Sequence, residues 1–129
     1  MEGYKVTITK ASKELTVKEK ISIKDFSNAT AIDSALENED STLIITPAWW
    51  ASLNVHNEKS KDGKDYRKYV IVDVAGNKYV TGSESFFTAF MDIMDEIADS
   101  GETEEFSIEV RKMPSKNYKG KYFITCSIL

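Results

Sequence analysis

The 129-residue chain has one cysteine, one histidine, two prolines and no apolar run long enough to span a membrane. A single cysteine, Cys126, excludes an intramolecular disulfide and is typical of a reducing compartment. Residues 1–10 alternate polar and apolar side chains and therefore lack the apolar centre of a signal peptide. We therefore expect a cytoplasmic protein that has no membrane partner.

Motifs for catalysis and cofactor binding are also missing. The sequence has no phosphate-binding glycine loop, no CxxC or HExxH metal motif and no GxSxG nucleophile motif. His56 stands alone as a potential metal ligand, and Cys126 lies among alternating apolar residues, where a small buried side chain is the expected role. The sequence therefore predicts a protein that is not an enzyme and has neither a cofactor nor a metal site.

Charge is unevenly distributed along the chain, whose net charge is −4. Residues 83–105 contain eight acids and no Lys or Arg, so the remaining 106 residues have a net charge of +4. From Arg111 to Lys121, five of eleven residues are Lys or Arg. Local fields of this kind steer charged partners. We expect a basic surface for a polyanion and an acidic helix on which a replication or recombination protein could dock.

The first 42 residues are difficult to interpret. Residues 4–9 alternate as in a strand with one buried face. Thr16 and Glu19 have the spacing of a capping box, whereas Ile21 and Ile23 alternate as in a strand, and both alternatives remain open. Residues 30–36 are compatible with one or two helical turns. We expect residues 1–42 to form an extension that packs on the rest of a single domain.

From residue 43 onwards the pattern predicts three strands, a helix and two more strands. The strands are expected at residues 43–56, 66–74, 78–81, 106–113 and 122–128. The helix is expected to begin at Thr81 or Ser83 and to end at Gly101. This order is that of the OB-fold, a five-stranded, partly open barrel, although a twisted sheet crossed by one helix has a similar order. We therefore predict a mainly β, α+β domain of residues 1–129, with an OB-like barrel at residues 43–129.

The predicted barrel places two lysine-rich loops at one groove. An OB-fold binds oligonucleotides or oligosaccharides across strands two and three, between the loops that join strands one–two and four–five. In this chain those loops are residues 57–65 and 114–120. Single-stranded nucleic acid requires cations along its backbone and rings for its bases. The predicted phosphate-binding residues are Lys59, Lys61, Lys64, Arg67, Lys68, Arg111, Lys116, Lys119 and Lys121.

Strand alternation assigns the aromatic residues to faces. In the second strand, the core face is expected to hold Val70, Val72 and Val74. The ligand face is expected to hold Arg67, Tyr69 and Ile71. Trp49 is expected in the core. In the last strand the residues expected inside are Tyr122, Ile124, Cys126 and Ile128, with Phe123 facing outward. The residues predicted to stack on bases are Trp50, Tyr69, Tyr79 and Tyr118.

Two segments carry a family resemblance. "KYVIVDVAGNKYVTGSESFFTAF" followed by "FSIEVRKMPSKNYKGKYFITCSI" resembles small OB-fold single-stranded-DNA-binding proteins of phages and mobile elements of Gram-positive bacteria. The resemblance covers roughly residues 43–129 and depends most on "TGSESF" and "SKNYKGKYF". It implies binding of single-stranded DNA, or RNA, without sequence specificity. It also implies protection of single strands during replication or recombination in a bacterial host cytoplasm.

Other functions are compatible with the same residues. An accessory protein could dock through the acidic helix or an edge strand without binding nucleic acid. An oligosaccharide-binding domain would use the aromatics and not the lysines, and a lysine-rich hairpin is often only a solvated loop. The strand at residues 43–56 could also pair with that of a second subunit, which would produce a homodimer.

Overall fold

A computed structural model describes residues 4–36, 41–57, 65–101, 104–115 and 120–129. The three helices are α1 (Val17–Ile23), α2 (Ile32–Ala35) and α3 (Glu84–Ser100). The eight strands in chain order are β1 (Tyr4–Ala11), β2 (Thr30–Ala31), β3 (Thr42–Ile45), β4 (Pro47–Asn57), β5 (Asp65–Asp73), β6 (Lys78–Thr81), β7 (Ile108–Pro114) and β8 (Tyr122–Ile128). The predicted α+β class, mainly β with one main helix, is confirmed.

The strands form two sheets. The large sheet has the order β1-β4-β5-β6-β2, and the small sheet has the order β3-β7-β8. The strand predicted at residues 43–56 is divided at Pro47 into β3 and β4, which belong to different sheets. Pro47 in this segment predicts an edge position or a bulge. The register shift between Pro47 and Trp49 confirms the bulge. Strand β4 lies between β1 and β5, so the edge alternative is wrong for it, whereas β3 is an edge strand of the small sheet.

Within the described residues the two sheets do not close into a barrel. Two hydrogen bonds show which backbone groups of β8 and its flanks face β7. The N–H of Leu129 donates to Ser107 O, and Lys121 O accepts from the N–H of Ser115. Alternate residues of a strand direct their backbone groups to the same side, so the odd-numbered residues of β8 face β7. The backbone of Ile124 therefore points away from β7, and its carbonyl accepts a hydrogen bond from Ser85 Oγ at 2.9 Å. The first turn of α3 thus lies at the edge where a closing strand would pair.

Both faces of the large sheet are covered over at least part of their area. On one face Leu53, Val70 and Val72 pack with Ile23 of α1 and with Leu15. On the other face Trp50 and Ile71 pack with α3 and with the inward side chains of the small sheet. The prediction that Val70 and Val72 are buried is confirmed. Val74 lies beyond the end of β5 and is 51% exposed, so its predicted burial was wrong.

Local capping interactions decide the ambiguous N-terminal segment. Thr16 and Glu19 form both hydrogen bonds of a capping box, so a helix begins there and Ile21 remains exposed. Ile23 is fully buried and attaches this helix to the sheet. Lys78 Nζ donates to the carbonyls of Ser22 and Asp25, which lie at the end of α1. The side chain of Lys78 thereby attaches the end of α1 to β6, with Ser22 O also accepting from the N–H of Asp25.

Helix α3 begins and ends at residues that the sequence proposes. Ser83 accepts a hydrogen bond from the N–H of Phe86 and is the N-cap, while Thr81 lies two residues before this cap, at the end of β6. Gly101 ends the helix with a positive φ of 74°. Phe86 and Phe90 are fully buried. In the described part of the chain, no helix has the length and apolar content required to cross a membrane.

Candidate nucleic-acid interface

One face of the large sheet carries four of the seven predicted site residues that lie in the described part of the chain, and this face divides into two halves. Cross-strand pairing aligns the side chains of β1, β4 and β5 in rows across this face. The covered half lies under α3 and contains Trp50, Tyr69, Ile71 and Tyr79. The open half lies beyond α3 and contains Lys5, Thr7, Lys10, Asn54, His56, Asp65 and Arg67. Alternation predicts correctly that Arg67, Tyr69 and Ile71 share a face.

The covered half holds three of the predicted stacking residues, and two of them, Trp50 and Tyr69, contact an aromatic ring of α3. Tyr69 stacks on Phe87 with ring centroids 3.9 Å apart and planes 9° apart. The ring of Trp50 meets Phe87 edge-on at 5.5 Å. Trp50 is 5% exposed and Tyr69 is 4% exposed. The prediction that these rings face solvent is therefore wrong, because α3 places its own aromatic residues where bases were expected to lie.

Two tyrosines of this half have raised pKa values. Burial raises the pKa of Tyr69, and the carboxylate of Glu84 adds to the rise, whereas Arg67 acts in the opposite direction. Burial also raises the pKa of Tyr79, with a further contribution from Asp73. Tyr79 lies opposite Ile71 on β5 and is half-buried against the core, so it is a partly accessible member of the covered half.

The open half is polar and mainly basic. Lys5, His56 and Asp65 form one cross-strand row, and the next row holds Thr7, Asn54 and Arg67. Lys5, Lys10 and Arg67 are exposed, so among the described residues of this surface three cations accompany one carboxylate, Asp65. Such a surface attracts a phosphate backbone. Lys5, Lys10, Asn54 and His56 were not among the predicted site residues. Alternation in residues 4–9 indicates a polar face, but it does not show that β1 pairs with β4.

Asp65 organises the outer row of the open half. His56 Nδ1 lies 2.7 Å from Asp65 Oδ1, and Asn54 Nδ2 donates to the same oxygen at 3.3 Å. The hydrogen bond with His56, and then that with Asn54, lowers the pKa of Asp65. The carboxylate is therefore charged at neutral pH and holds these two side chains in place on the sheet surface.

The end of the β7–β8 hairpin forms a second basic and aromatic surface. Lys112 Nζ lies 5.1 Å from the ring centroid of Tyr122. Tyr122 is 47% exposed and Phe123 is 39% exposed. Lys121, a predicted phosphate contact, is also exposed. Phe123 faces outward as predicted, whereas the predicted burial of Tyr122 and Ile128 is wrong because only Ile124 and Cys126 reach the core.

The other predicted residues are dispersed. Lys68 is half-buried and pairs with Leu53, on the sheet face opposite to Arg67. Arg111 lies on β7 with its Nε 3.6 Å from Glu109 Oε1, so its charge is partly engaged. The remaining predicted positions lie outside the described residues, and they are Lys59, Lys61, Lys64, Lys116, Tyr118 and Lys119. The structure therefore brings Arg67 together with residues of β1 and β4, and not with Lys68 or Arg111.

No group for metal-based or thiol chemistry is assembled among the described side chains. Within them, His, Cys, Asp and Glu residues do not gather in threes around a potential metal position. Burial raises the pKa of the Cys126 thiol to about 11, so this group is protonated and unreactive at neutral pH. The charged side chains of the open half are mainly cationic among the described residues, and cations of this kind interact favourably with anionic ligands.

Comparisons with protein-family models, with curated proteins and with solved structures find no match for this chain.

Proposed function

We propose that this protein binds single-stranded DNA without sequence preference, in the replication or recombination of a phage or mobile element. The observation that carries the proposal is the open half of the sheet face, where Lys5 and Lys10 project from β1 and Arg67 projects from β5, on the two sides of β4. In the sequence, the segment between β4 and β5, residues 58–64, contains three lysines. A row of cations beside groups that donate hydrogen bonds is what a single-stranded backbone requires.

We also infer that residues 43–129 are an opened relative of the OB-fold. In support, β4, β5 and β6 pair in sequence, β3 pairs with β7, and β7 pairs with β8. The main helix lies between the third and fourth of these strands, as in that fold. The resemblance of "TGSESF" and "SKNYKGKYF" to phage single-stranded-DNA-binding proteins points in the same direction.

Base stacking is assigned to the β7–β8 hairpin in this proposal. The rings of Trp50 and Tyr69 are covered, whereas Tyr122 and Phe123 are exposed next to Lys112 and Lys121. An exposed ring can stack on any base, because every base has a π-face. The segment between these strands, residues 116–119, adds two lysines and Tyr118 in the sequence. Cations and rings would thus alternate along one hairpin.

The proposal is tested by titrating the full chain with fluorescently labelled oligo-dT at about 50 and about 200 mM salt. We expect binding at the lower salt concentration and a steep loss at the higher one. The triple variant Lys5→Ala, Lys10→Ala, Arg67→Ala should weaken binding at least tenfold. It should also make the slope of log K against log salt shallower by about two units, at roughly 0.7 for each lost phosphate contact.

A matched control removes the same charge elsewhere. Lys18, Lys20 and Lys24 are exposed on or next to α1, which packs on the other face of the sheet. Their triple replacement by Ala should change affinity by less than about threefold, since only long-range electrostatics is altered. Absence of oligo-dT binding at low salt would contradict the proposal. Equal losses in the two triple variants would contradict the assignment of the open half.

A further inference from the structure

A groove between α3 and β8 lies apart from both basic surfaces. It has a volume of about 330 Å³ and is lined by Asp92, Ile93, Glu96, Ile97 and Ile128. This volume is at the lower end of the roughly 300–1,000 Å³ typical of ligand pockets. The groove therefore has room for a few side chains of a partner.

The floor of the groove is apolar and partly exposed. Ile93 and Ile97 are half-buried on one flank of α3, and Ile128 at the end of β8 is 52% exposed. Leu129, the next residue, is 66% exposed. Covering this aliphatic surface would remove apolar area from water, which is favourable by roughly 25 cal/mol per Å².

The rim of the groove is acidic. Asp92 and Glu96 are exposed and one helical turn apart on the groove side of α3. Within the described part of the chain, neither carboxylate takes part in a salt bridge. Residues 83–105 contain no Lys or Arg that could neutralise them from within the same segment. This groove is thus a negatively charged site with an aliphatic floor, and it repels nucleic acid.

We propose that this groove binds a basic amphipathic helix of a partner protein. Two aliphatic side chains spaced by one turn would enter the isoleucine floor. Lys or Arg residues spaced by four positions would meet Asp92 and Glu96, whose own spacing on α3 matches that repeat. Charge selects a basic partner over an acidic one, and the apolar floor supplies affinity. The site does not depend on the open half, so both surfaces can be occupied together.

The test uses a synthetic, fluorescently labelled peptide of about 15 residues, a length that supports helix formation. The peptide carries two leucines one turn apart, flanked by lysines at four-residue spacing, and is titrated with the full chain. We expect saturable binding that weakens as salt is raised. The double variant Asp92→Lys, Glu96→Lys should lose at least tenfold in affinity. A peptide with glutamates in place of the lysines should instead bind this double variant.

The helix offers a matched control for charge. Asp95 and Asp99 lie on the same helix and are exposed, but they do not line the groove. Asp95→Lys, Asp99→Lys should weaken peptide binding by less than about threefold, because it changes the net charge equally without removing a contact. Ile128→Ser should weaken binding as well, while circular dichroism shows that each variant is folded.

Several outcomes would overturn the proposal. These are no peptide binding at low salt, equal losses in the two double variants, and failure of the charge-swapped peptide to bind the charge-swapped groove. A dimer in sedimentation that dissociates when Asp92 and Glu96 are reversed would make a second copy of the chain the occupant, and would overturn it too. Oligo-dT affinity of the Asp92→Lys, Glu96→Lys variant should not fall, so the peptide result and the DNA result are judged separately.

Discussion

The covered and open halves of one sheet face share strands β4 and β5 and differ in what lies over them. In the covered half, Trp50 and Tyr69 pack against Phe87 of α3. In the open half, two to four residues further along the same strands, Asn54 and Arg67 face solvent or are only partly buried. A strand surface therefore becomes core or interface according to where a helix ends, and the strand geometry itself is unchanged.

The boundary between the halves is marked by charge. Glu84 begins α3, and its carboxylate acts to raise the pKa of Tyr69, whereas Arg67 acts to lower it. Opposite charges thus approach the hydroxyl of Tyr69 from the helix and from the open half. Tyr69 is amphipathic and suits this position, because its ring can be buried while its hydroxyl meets polar groups.

The largest expected effect is on stability, in the covered half. Trp50→Ala should reduce the free energy of unfolding by about 3–5 kcal/mol, because it removes a buried ring that contacts Phe87 and Phe90. Urea denaturation measures this loss. Trp49 is the neighbouring control, since it is half-buried on the other face, and Trp49→Ala should be less destabilising.

The milder variant Trp50→Leu separates packing from binding. It removes the aromatic ring and keeps an apolar side chain, so oligo-dT affinity should remain within about twofold of the unmodified chain. If Trp50 stacked on a base, the loss would be roughly 1–3 kcal/mol of binding free energy. That loss, or a larger destabilisation from Trp49→Ala than from Trp50→Ala, would contradict the division into two halves.

Much of the element order could be predicted from local sequence. Ser83 and Gly101 bound the helix through hydrogen bonds and backbone angles that depend only on near neighbours. Residues 43–129 accordingly have the predicted sequence of strands and helix, except that the first predicted strand is divided into β3 and β4. The capping box at Thr16 is equally local. The alternation of Ile21 and Ile23 is also compatible with a strand, and only the tertiary burial of Ile23 distinguishes the helix from that alternative.

The candidate site was harder to predict because it depends on contacts between distant residues. Alternation shows that Trp50 and Tyr69 lie on faces opposite to Trp49 and Val70, but it does not show that α3 covers them. Lys5 enters the site only because β1 pairs with β4, which is about 50 residues away in the chain. No local pattern encodes that pairing, so part of the site could not be found from the sequence.

The second expected effect, in order of size, concerns the reactivity of the buried Cys126 thiol. Burial raises the pKa of Cys126 to about 11, compared with about 8.5 for a free thiol. At pH 8 its thiolate population should therefore be about two orders of magnitude lower than in the unfolded chain, and reaction with a disulfide reagent should slow at least in proportion. Labelling rates in buffer and in urea measure the ratio. Equal labelling rates in buffer and in urea would mean that α3 and the small sheet do not protect Cys126 from the reagent.

The third effect tests the turn that ends β5 beside the covered half. Burial acts to raise the pKa of Asp73, but hydrogen bonds from Asn77 and from the N–H of Ala75 outweigh it, so the pKa is lowered. A carboxyl group with a lowered folded-state pKa stabilises the fold above its unfolded pKa of about 3.9, and this contribution is lost as the pH falls. Asp73→Ala should therefore cost about 1–2 kcal/mol at pH 7 and less at pH 3.

Asp73→Asn is the control for that variant. Its amide oxygen can still accept from the backbone but carries no charge, so the stability of this variant should depend less on pH between 3 and 7 than that of the unmodified chain. Thermal unfolding at the two pH values provides the comparison. A cost of Asp73→Ala that is the same at both pH values would show that hydrogen bonding to the charged form is not the cause.

The smallest expected effect is a change in oligo-dT affinity caused by a substitution in the open half. Asp65 is the single acid among the described residues of the open half. Its hydrogen bond with His56 lowers its pKa, so it repels phosphate at neutral pH. Asp65→Asn removes this charge while keeping an acceptor for Asn54 and a partner for His56. We expect oligo-dT affinity to rise roughly two- to fivefold at low salt, with the gain disappearing as screening increases. Anisotropy titrations measure it.

Asp25 provides the matched control, because it is also exposed, has a lowered pKa and lies just after α1, on the other side of the sheet. Asp25→Asn changes the net charge of the protein by the same amount at a distance from the open half, so the affinity for oligo-dT should change by less than half as much. If Asp65→Asn weakens binding, the carboxylate acts by positioning His56 and Asn54, and its repulsion of phosphate is the lesser effect. If both variants raise the affinity equally, DNA responds to overall charge and the open half is not its binding surface.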